Sequence, residues 1–353
     1  MWVGLIKCCL FIILAGVDKV LMIILYIIAG FFSVLIGGWF FTNAMEYISY
    51  RYRIGTSFIG AVVSPILTSL PELIVFLVAL LLYGNISGED VAVGTIIGEP
   101  FVVSTIIYPL IFIMAAVGFY LKHRSDVVLE VDKALVIPFA VVIALFPTVL
   151  LPALVKSPLT KSLIAASLVM AYLLYIHAMR SQQGIVIEDY EGLYALKIVK
   201  GIRVREWLLL TLQLGISVVL LFIGSNAMVE GVIGLSRGLA LDVMGLSIIV
   251  IPTATVLPES ITAVIWTWRE RDTMAVAALI GEKVLYSTVY PALALLTTRW
   301  LLDINAVISV AVVEAVSAMM LYHVIRGRLT WDVAVIGLAG YLVYILVLIN
   351  HGV

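Results

Sequence analysis

Two copies of one short motif set a carboxylate beside a helix-breaking proline inside an apolar run: Thr68-Ser69-Leu70-Pro71-Glu72 and Thr255-Val256-Leu257-Pro258-Glu259. Each copy has a second proline six residues upstream, Pro65 and Pro252. Proline cannot donate to the helical ladder, so carbonyls of the preceding turn, those of Thr68 and Thr255 among them, are left short of a partner. Freed carbonyls beside an acid make a cation site. Ser69 adds a hydroxyl, and Val256 at the equivalent position does not, so the two copies are chemically unequal.

Two more acids, Glu99 and Glu282, lie in later apolar runs. A carboxylate facing lipid at a helix centre costs roughly 2.5–3.5 kcal/mol or more, so all four must face something polar. Three or four carboxylates supplemented by carbonyls suit a hard divalent ion such as Ca2+, whose flexible shell takes about 6–8 oxygens. Without a cation such a cluster would hold protons, because like charges raise one another's pKa.

The elements that position these groups are membrane helices. The chain is 63% hydrophobic and 12% charged over 353 residues, with apolar runs near or beyond the ~20 residues needed to cross a bilayer. A net charge of −1 gives no basic excess for nucleic acid. No nucleophile beside a base, nucleotide loop or Cys/His metal spacing points to an enzyme, and no cofactor or required protein partner is indicated. Cys8 and Cys9 are adjacent, poor disulfide partners, and read as small hydrophobes.

Residues 1–19 form a short apolar N-terminal segment. Ten spans follow at about 20–49, 55–83, 89–121, 133–153, 159–180, 206–237, 242–268, 272–302, 304–325 and 330–350. A polar, mixed-charge linker at 182–205 separates a first five-helix unit, 20–181, from a second, 206–353. Loop cations divide 14 against 5 between the two sides, with Arg51, Arg124, Arg271 and Arg326 on the richer side and Lys19, Lys161 and Arg299 on the poorer. The positive-inside rule makes the 182–205 linker cytoplasmic in a cell membrane.

The two units repeat one another. Thr42-Asn43-Ala44-Met45 returns as Ser225-Asn226-Ala227-Met228, and the proline-glutamate motif recurs in spans 2 and 7. Ala92-Val93-Gly94-Thr95-Ile96-Ile97-Gly98-Glu99 aligns with Ala275-Val276-Ala277-Ala278-Leu279-Ile280-Gly281-Glu282, and Ser104-Thr105 and Ser287-Thr288 follow at one offset. An odd number of spans per copy inverts the second copy, a transporter architecture with its site near the midplane.

Several single residues need a reading of their own. Lys283 stands inside span 8, too far from either end to snorkel from a centred helix, and reads as an inward-facing tethered cation partnering Glu99 or another acid. Asn43 and Asn226 read as helix-helix contacts, His123, His177, His323 and His351 as interfacial, and Trp266 and Trp268 as part of an aromatic belt.

Together the paired motifs, the small-residue helix with Gly-X-Ile-Ile-Gly and the two five-span halves resemble the sodium/calcium exchanger family of the cation/Ca2+ antiporter superfamily. The resemblance implies an all-helical, ten-span inverted-repeat antiporter working by alternating access. Its central Ca2+ ligands would be Glu72 and Glu259, with carbonyls from Thr68 and Thr255 and flanking oxygens for Na+ or H+. The sequence departs from the family at Leu67 and Ala254, where Gly is usual, and at Thr95 and Ala278, where Asn or Asp is usual. Gly-Ser-Asn is replaced by Gly98-Glu99-Pro100 and Gly281-Glu282-Lys283. Glu99 and Glu282 lie one turn beyond the lost Asn/Asp positions, so ligands shift by about 5–6 Å along the helix. Candidate ion ligands are therefore Glu72, Glu259, Thr68, Thr255, Glu99, Glu282, Ser69 and Thr95. A Ca2+/H+ exchanger is the alternative within transport, and a channel-like membrane protein the alternative outside it.

Overall fold

The computed structural model describes residues 2–51, 69–155, 157–179, 192–198 and 205–350. Apolar runs make nearly everything helical, in the order α1 (Trp2–Arg51), α2 (Leu70–Leu82), α3 (Ile86–Val102), a π-helical stretch (Val103–Ile107) and α4 (Tyr108–Tyr120). Next come α5 (Val136–Leu145), α6 (Leu151–Val155), α7 (Pro158–Met179), α8 (Tyr194–Ile198), α9 (Glu206–Leu239) and α10 (Val243–Trp268). The chain closes with α11 (Asp272–Tyr286), α12 (Val289–Thr297), α13 (Ile304–Ile325) and α14 (Asp332–Asn350). Short acidic or amide side chains start several of them: Asn85 accepts from Gly88 N, Asp242 from Gly245 N and Asp303 from Ala306 N.

Among the described residues eight helical segments are long and apolar enough to cross a membrane, and α10, bent by 54° between Pro258 and Ser260, makes a ninth. The 13-residue α2 is shorter, and residues 52–68 before it lie outside the described residues. The first helix runs on through Gly16–Lys19 as one 50-residue element of ~75 Å, so the N-terminal segment is continuous with the first span.

Burial separates a centre from a periphery. In Ile86–Tyr120 and Asp272–Thr297, 67% and 78% of the most apolar window is buried, against 17% for the N-terminal span and for Pro158–Met179. The third and eighth spans of the sequence reading are therefore the interior, and the outer helices turn large apolar side chains such as Leu21, Phe32, Leu163 and Phe222 outward, as a lipid-facing surface requires.

Close backbone approach holds the frame. Helix α1 lies along α9, where a Cβ on Gly30 would come within 2.9 Å of Gly224 O and one on Gly224 within 2.8 Å of Val34 N. Ser33 Oγ donates to Leu220 O at 2.8 Å. Asn43 is a junction: its Nδ2 donates to Gly192 O, and its Oδ1 accepts from Tyr194 N and Gln213 Nε2. Asn226 Oδ1 accepts from the Tyr83 hydroxyl at 2.9 Å. Both asparagines thus tie helices together.

At one end, a two-stranded antiparallel pairing of Leu129–Glu130 with Arg328–Leu329 joins the segment after α4 to the turn between α13 and α14. Two expectations change here. Arg124 is not a solvated loop cation; it is buried and bidentate with Asp272, Nη1–Oδ1 2.7 Å and Nη2–Oδ2 2.8 Å, and it donates to Thr267 O. Trp266 is 3% exposed and belongs to the core, not to a lipid belt, while Trp268 faces the His123 ring at 4.6 Å. His323, in the last turn of α13 near the span end as expected, is mostly buried, with Nε2 2.7 Å from Asp332 Oδ2. Beside Arg124, the exposed Glu270 carboxyl is held below the usual range by hydrogen bonds from Ser125.

Candidate functional site

The two proline-glutamate motifs fold differently. In the first, Ser69 precedes α2, Pro71 sits in its opening turn, where a missing N–H is harmless, and Glu72 is buried in that turn, where the helix dipole favours a carboxylate. Thr68 lies outside the described residues. In the second, Pro258 is inside α10 and has no N–H for the Ala254 carbonyl, which accounts for the bend that follows. Thr255 is buried in the turn before the bend, with Oγ1 3.4 Å from both Ile251 O and Pro252 O. The Glu259 side chain is outside the described structure.

Span 8 reaches back to the first motif. The Tyr290 hydroxyl donates to Ser69 O at 3.2 Å and lies 2.7 Å from Ser69 Oγ, and its ring packs on Tyr286 with centroids 4.5 Å apart. A carbonyl of the first motif is thus held by a side chain 221 residues away.

Glu99 and Glu282 are both buried, in α3 and α11. Thr95, one turn before Glu99, uses its hydroxyl hydrogen on Val91 O at 2.8 Å. Glycines bring α3 against α10, since a Cβ on Gly94 would lie 2.7 Å from Ser247 Cβ, and one on Gly98 would overlap Ile248 O and lie 2.7 Å from Pro252 Cγ. The Glu99 turn is therefore seated on the Pro252 turn of the second motif's helix.

Just beyond, both interior spans depart from regular α-helix. In the first, the π-helical stretch follows Pro100, Ser104 Oγ donates to Pro100 O at 2.7 Å and Thr105 Oγ1 to Phe101 O at 2.7 Å. In the second, α11 and α12 are separated at Ser287–Thr288, where Ser287 Oγ donates to Lys283 O at 2.6 Å and Thr288 Oγ1 to Val284 O at 2.6 Å. Related hydroxyls thus close carbonyls at related interruptions, as the sequence alignment pairs them.

Lys283 is fully buried, and its ammonium donates to Ser104 Oγ at 2.9 Å and Ser317 Oγ at 2.8 Å, 5.3 Å from the centroid of the Tyr108 ring. Glu99 and Glu314 act on it through space. The lysine points inward as expected, but its direct partners are hydroxyls. Glu314, in α13, is a further acid inside an apolar span, not among the four expected; its signal in the sequence is that it is the lone acid in the run 304–325. Tyr290, Tyr108 and Ser317 were also missed.

Among the described residues no three acidic, histidine or cysteine side chains form a ready metal cage, and Thr68 and the Glu259 side chain fall outside them. The geometry brings together Ser69 with span 8, the Glu99 turn with α10, and Lys283 with spans 3 and 9.

Many apolar spans with acids buried in the interior ones define a polytopic membrane protein that carries ionisable groups inside its helical bundle. The sequence matches the family described as sodium/calcium exchanger protein over residues 22–179 and again over 209–350, and the chain belongs to that family of secondary transporters. In fold it is similar to the H+/Ca2+ exchanger CAX, with a TM-score of 0.69, 17% identity, and 97% of this chain and 89% of that one covered. It is also similar to native YfkE, at a TM-score of 0.66, 12% identity and coverage of 95% and 96%. For the sodium-calcium exchanger NCX_Mj soaked without Na+ and Ca2+, the TM-score is 0.53, with 19% identity and coverage of 93% and 99%. No curated protein sequence matches the chain significantly.

Proposed function

We propose that the chain is a secondary antiporter that exchanges Ca2+, or a similar divalent cation, for Na+ or H+ by alternating access. The observation that carries the reading is the burial of Glu72, Glu99 and Glu282 inside apolar helices of both halves, within a family of exchangers. Glu72 and Glu259 are the central charged ligands, with carbonyls from Thr68 and Thr255. Glu99 and Glu282 stand one turn further along their helices, and Ser69 and Thr95 add oxygens. Thr95 remains an acceptor, since its own hydrogen is spent on Val91 O. Two five-span units related by inversion, in a cell membrane with the 182–205 linker on the cytoplasmic side, are the frame this reading uses; the separate family matches to each half support the duplication.

One observation favours H+ over Na+ as the counter-ion. Val256 and Ala278 remove side-chain oxygens at positions related to Ser69 and Thr95, while the acids remain available to protons. Reconstituted vesicles decide it. Radiolabelled Ca2+ uptake should be driven by an outward proton gradient, and uptake that requires Na+ and ignores pH would assign Na+ instead. Flux that runs only downhill, with no counter-ion dependence, would replace the antiporter by a channel.

A further inference from the structure

The Lys283 ammonium lies in a cradle made by two stretches of chain that the sequence keeps far apart, the run through Ser104 and Tyr108 and the helix α13. The π-helical stretch after α3 supplies Ser104, α13 supplies Ser317 and Glu314, and α4 begins with Tyr108. The Ser104 hydroxyl hydrogen is committed to Pro100 O, so its lone pairs are what the cradle presents. Glu314 precedes Ser317 by one turn on the same face of α13, and its Oε1 is buried without a hydrogen-bond partner. Tyr108 is fully buried, with its ring facing the ammonium at cation–π range. Hydroxyl oxygens, an aromatic face and flanking carboxylates make a receptor for a small positive charge, and a lysine head is a compact charge with three donors.

We propose that this cradle is a monovalent-cation site, built from Ser104, Ser317, Glu314 and Tyr108, which the chain keeps permanently occupied with its own Lys283 ammonium. It rests on the antiport reading only for its consequence, that one monovalent position is unavailable to an exchangeable ion. Truncating the lysine should expose the site to a free cation of similar size.

The test uses the full-length protein in detergent, with N-methylglucamine as the only background cation and methylammonium as the probe. Lys283→Ala should melt below the wild type, and methylammonium should raise its melting temperature saturably, by about 3 °C or more. The wild type should not respond, nor should the variant respond to the bulkier tetramethylammonium. Lys283→Ala/Glu314→Gln, which removes the counter-charge too, should recover stability and lose the methylammonium response. If Lys283→Ala does not fold without the probe, this double variant must still fold. The proposal is overturned if methylammonium leaves Lys283→Ala unchanged, if it stabilises wild type equally, or if the double variant responds like the single one or fails to fold. Melting needs no transport, so loss of antiport in wild-type vesicles would sink the exchanger reading and leave this result standing.

Discussion

The two interior spans, Ile86–Tyr120 and Asp272–Thr297, start from matching sequence and arrive at different structures. Both bury an acid and both follow it with a Ser-Thr pair whose hydroxyls close carbonyls one turn back. The first stays helical by widening into a π-helical stretch, and the second breaks into two helices. The residue after the acid differs: Pro100 removes a donor where Lys283 adds a charge. A shared way of interrupting a helix has thus been given two uses. In the first copy it aims Ser104 as an acceptor, and in the second it carries the cation that Ser104 accepts. The repeated strings preserve where the helix is interrupted, while the backbone's response and the side chains on it diverge.

The largest effect tests where the copies should still be equal. Glu72→Gln and Glu259→Gln each keep size and remove a charged ligand, so each should abolish counter-ion-driven Ca2+ uptake in vesicles while leaving detergent melting close to wild type. Near-normal uptake by either variant would remove that residue from the central site and make the copies functionally unequal there as well.

Next in size is the clamp between the copies. Asp272, at the start of α11, holds Arg124 from the segment after α4 in a buried bidentate pair. Breaking such a pair from one side leaves an uncompensated buried charge, a loss of about 3–5 kcal/mol. Asp272→Asn and Arg124→Ala should therefore melt well below the wild type. In a double-mutant cycle Arg124→Met/Asp272→Leu should cost less than the sum of the single Arg124→Met and Asp272→Leu losses. Additive losses would mean that the two side chains do not act as a pair.

The repeated motifs were legible because they are written in local strings, and the buried acids because apolar runs make any charge conspicuous. Lys283 could be read as inward-facing from its distance to both span ends, but its partners Ser104 and Ser317 could not, since hydroxyls in helices usually serve their own backbone. Glu314 was equally conspicuous in its run and was passed over because it belongs to no repeated motif. Arg124 read as a loop cation because its partner is 148 residues away, and nothing near it in sequence announces burial. The bend at Pro258 was foreshadowed by proline chemistry. The opening of α2 at Leu70, which places Pro71 in a first turn, was not, since the two motifs look alike on the page.

A smaller effect separates the copies by packing. Gly94 is pressed against α10, where an added Cβ would meet Ser247 Cβ at 2.7 Å and Met244 O at 2.9 Å. Its counterpart, Ala277, already carries a Cβ. Gly94→Ala should cost about 1–3 kcal/mol by overpacking, whereas Ala277→Gly should cost only the helix-propensity difference of about 1 kcal/mol. Equal melting shifts would show that the two spans pack against their neighbours alike.

The smallest effect concerns the contact that only the first motif has. Tyr290 donates to Ser69 O and meets Ser69 Oγ, whereas Val256, in the related place, offers no hydroxyl to any partner. Tyr290→Phe keeps the ring against Tyr286 and removes both links, and a net hydrogen bond is worth about 0.5–1.5 kcal/mol, so the melting shift should be modest. Ser69→Ala should cost less, because the Tyr290 hydroxyl can still donate to the Ser69 carbonyl. If this tie fixes the first motif's carbonyls for ion binding, Tyr290→Phe should weaken apparent Ca2+ affinity in vesicles more than Ser69→Ala does, with the maximal rate less affected. In a double cycle the two substitutions should be non-additive, since they share one contact. Additive affinity losses, or a larger effect from Ser69→Ala, would move the role from the tethered carbonyl to the serine hydroxyl itself, and with it the reason that Val256 makes the second copy different.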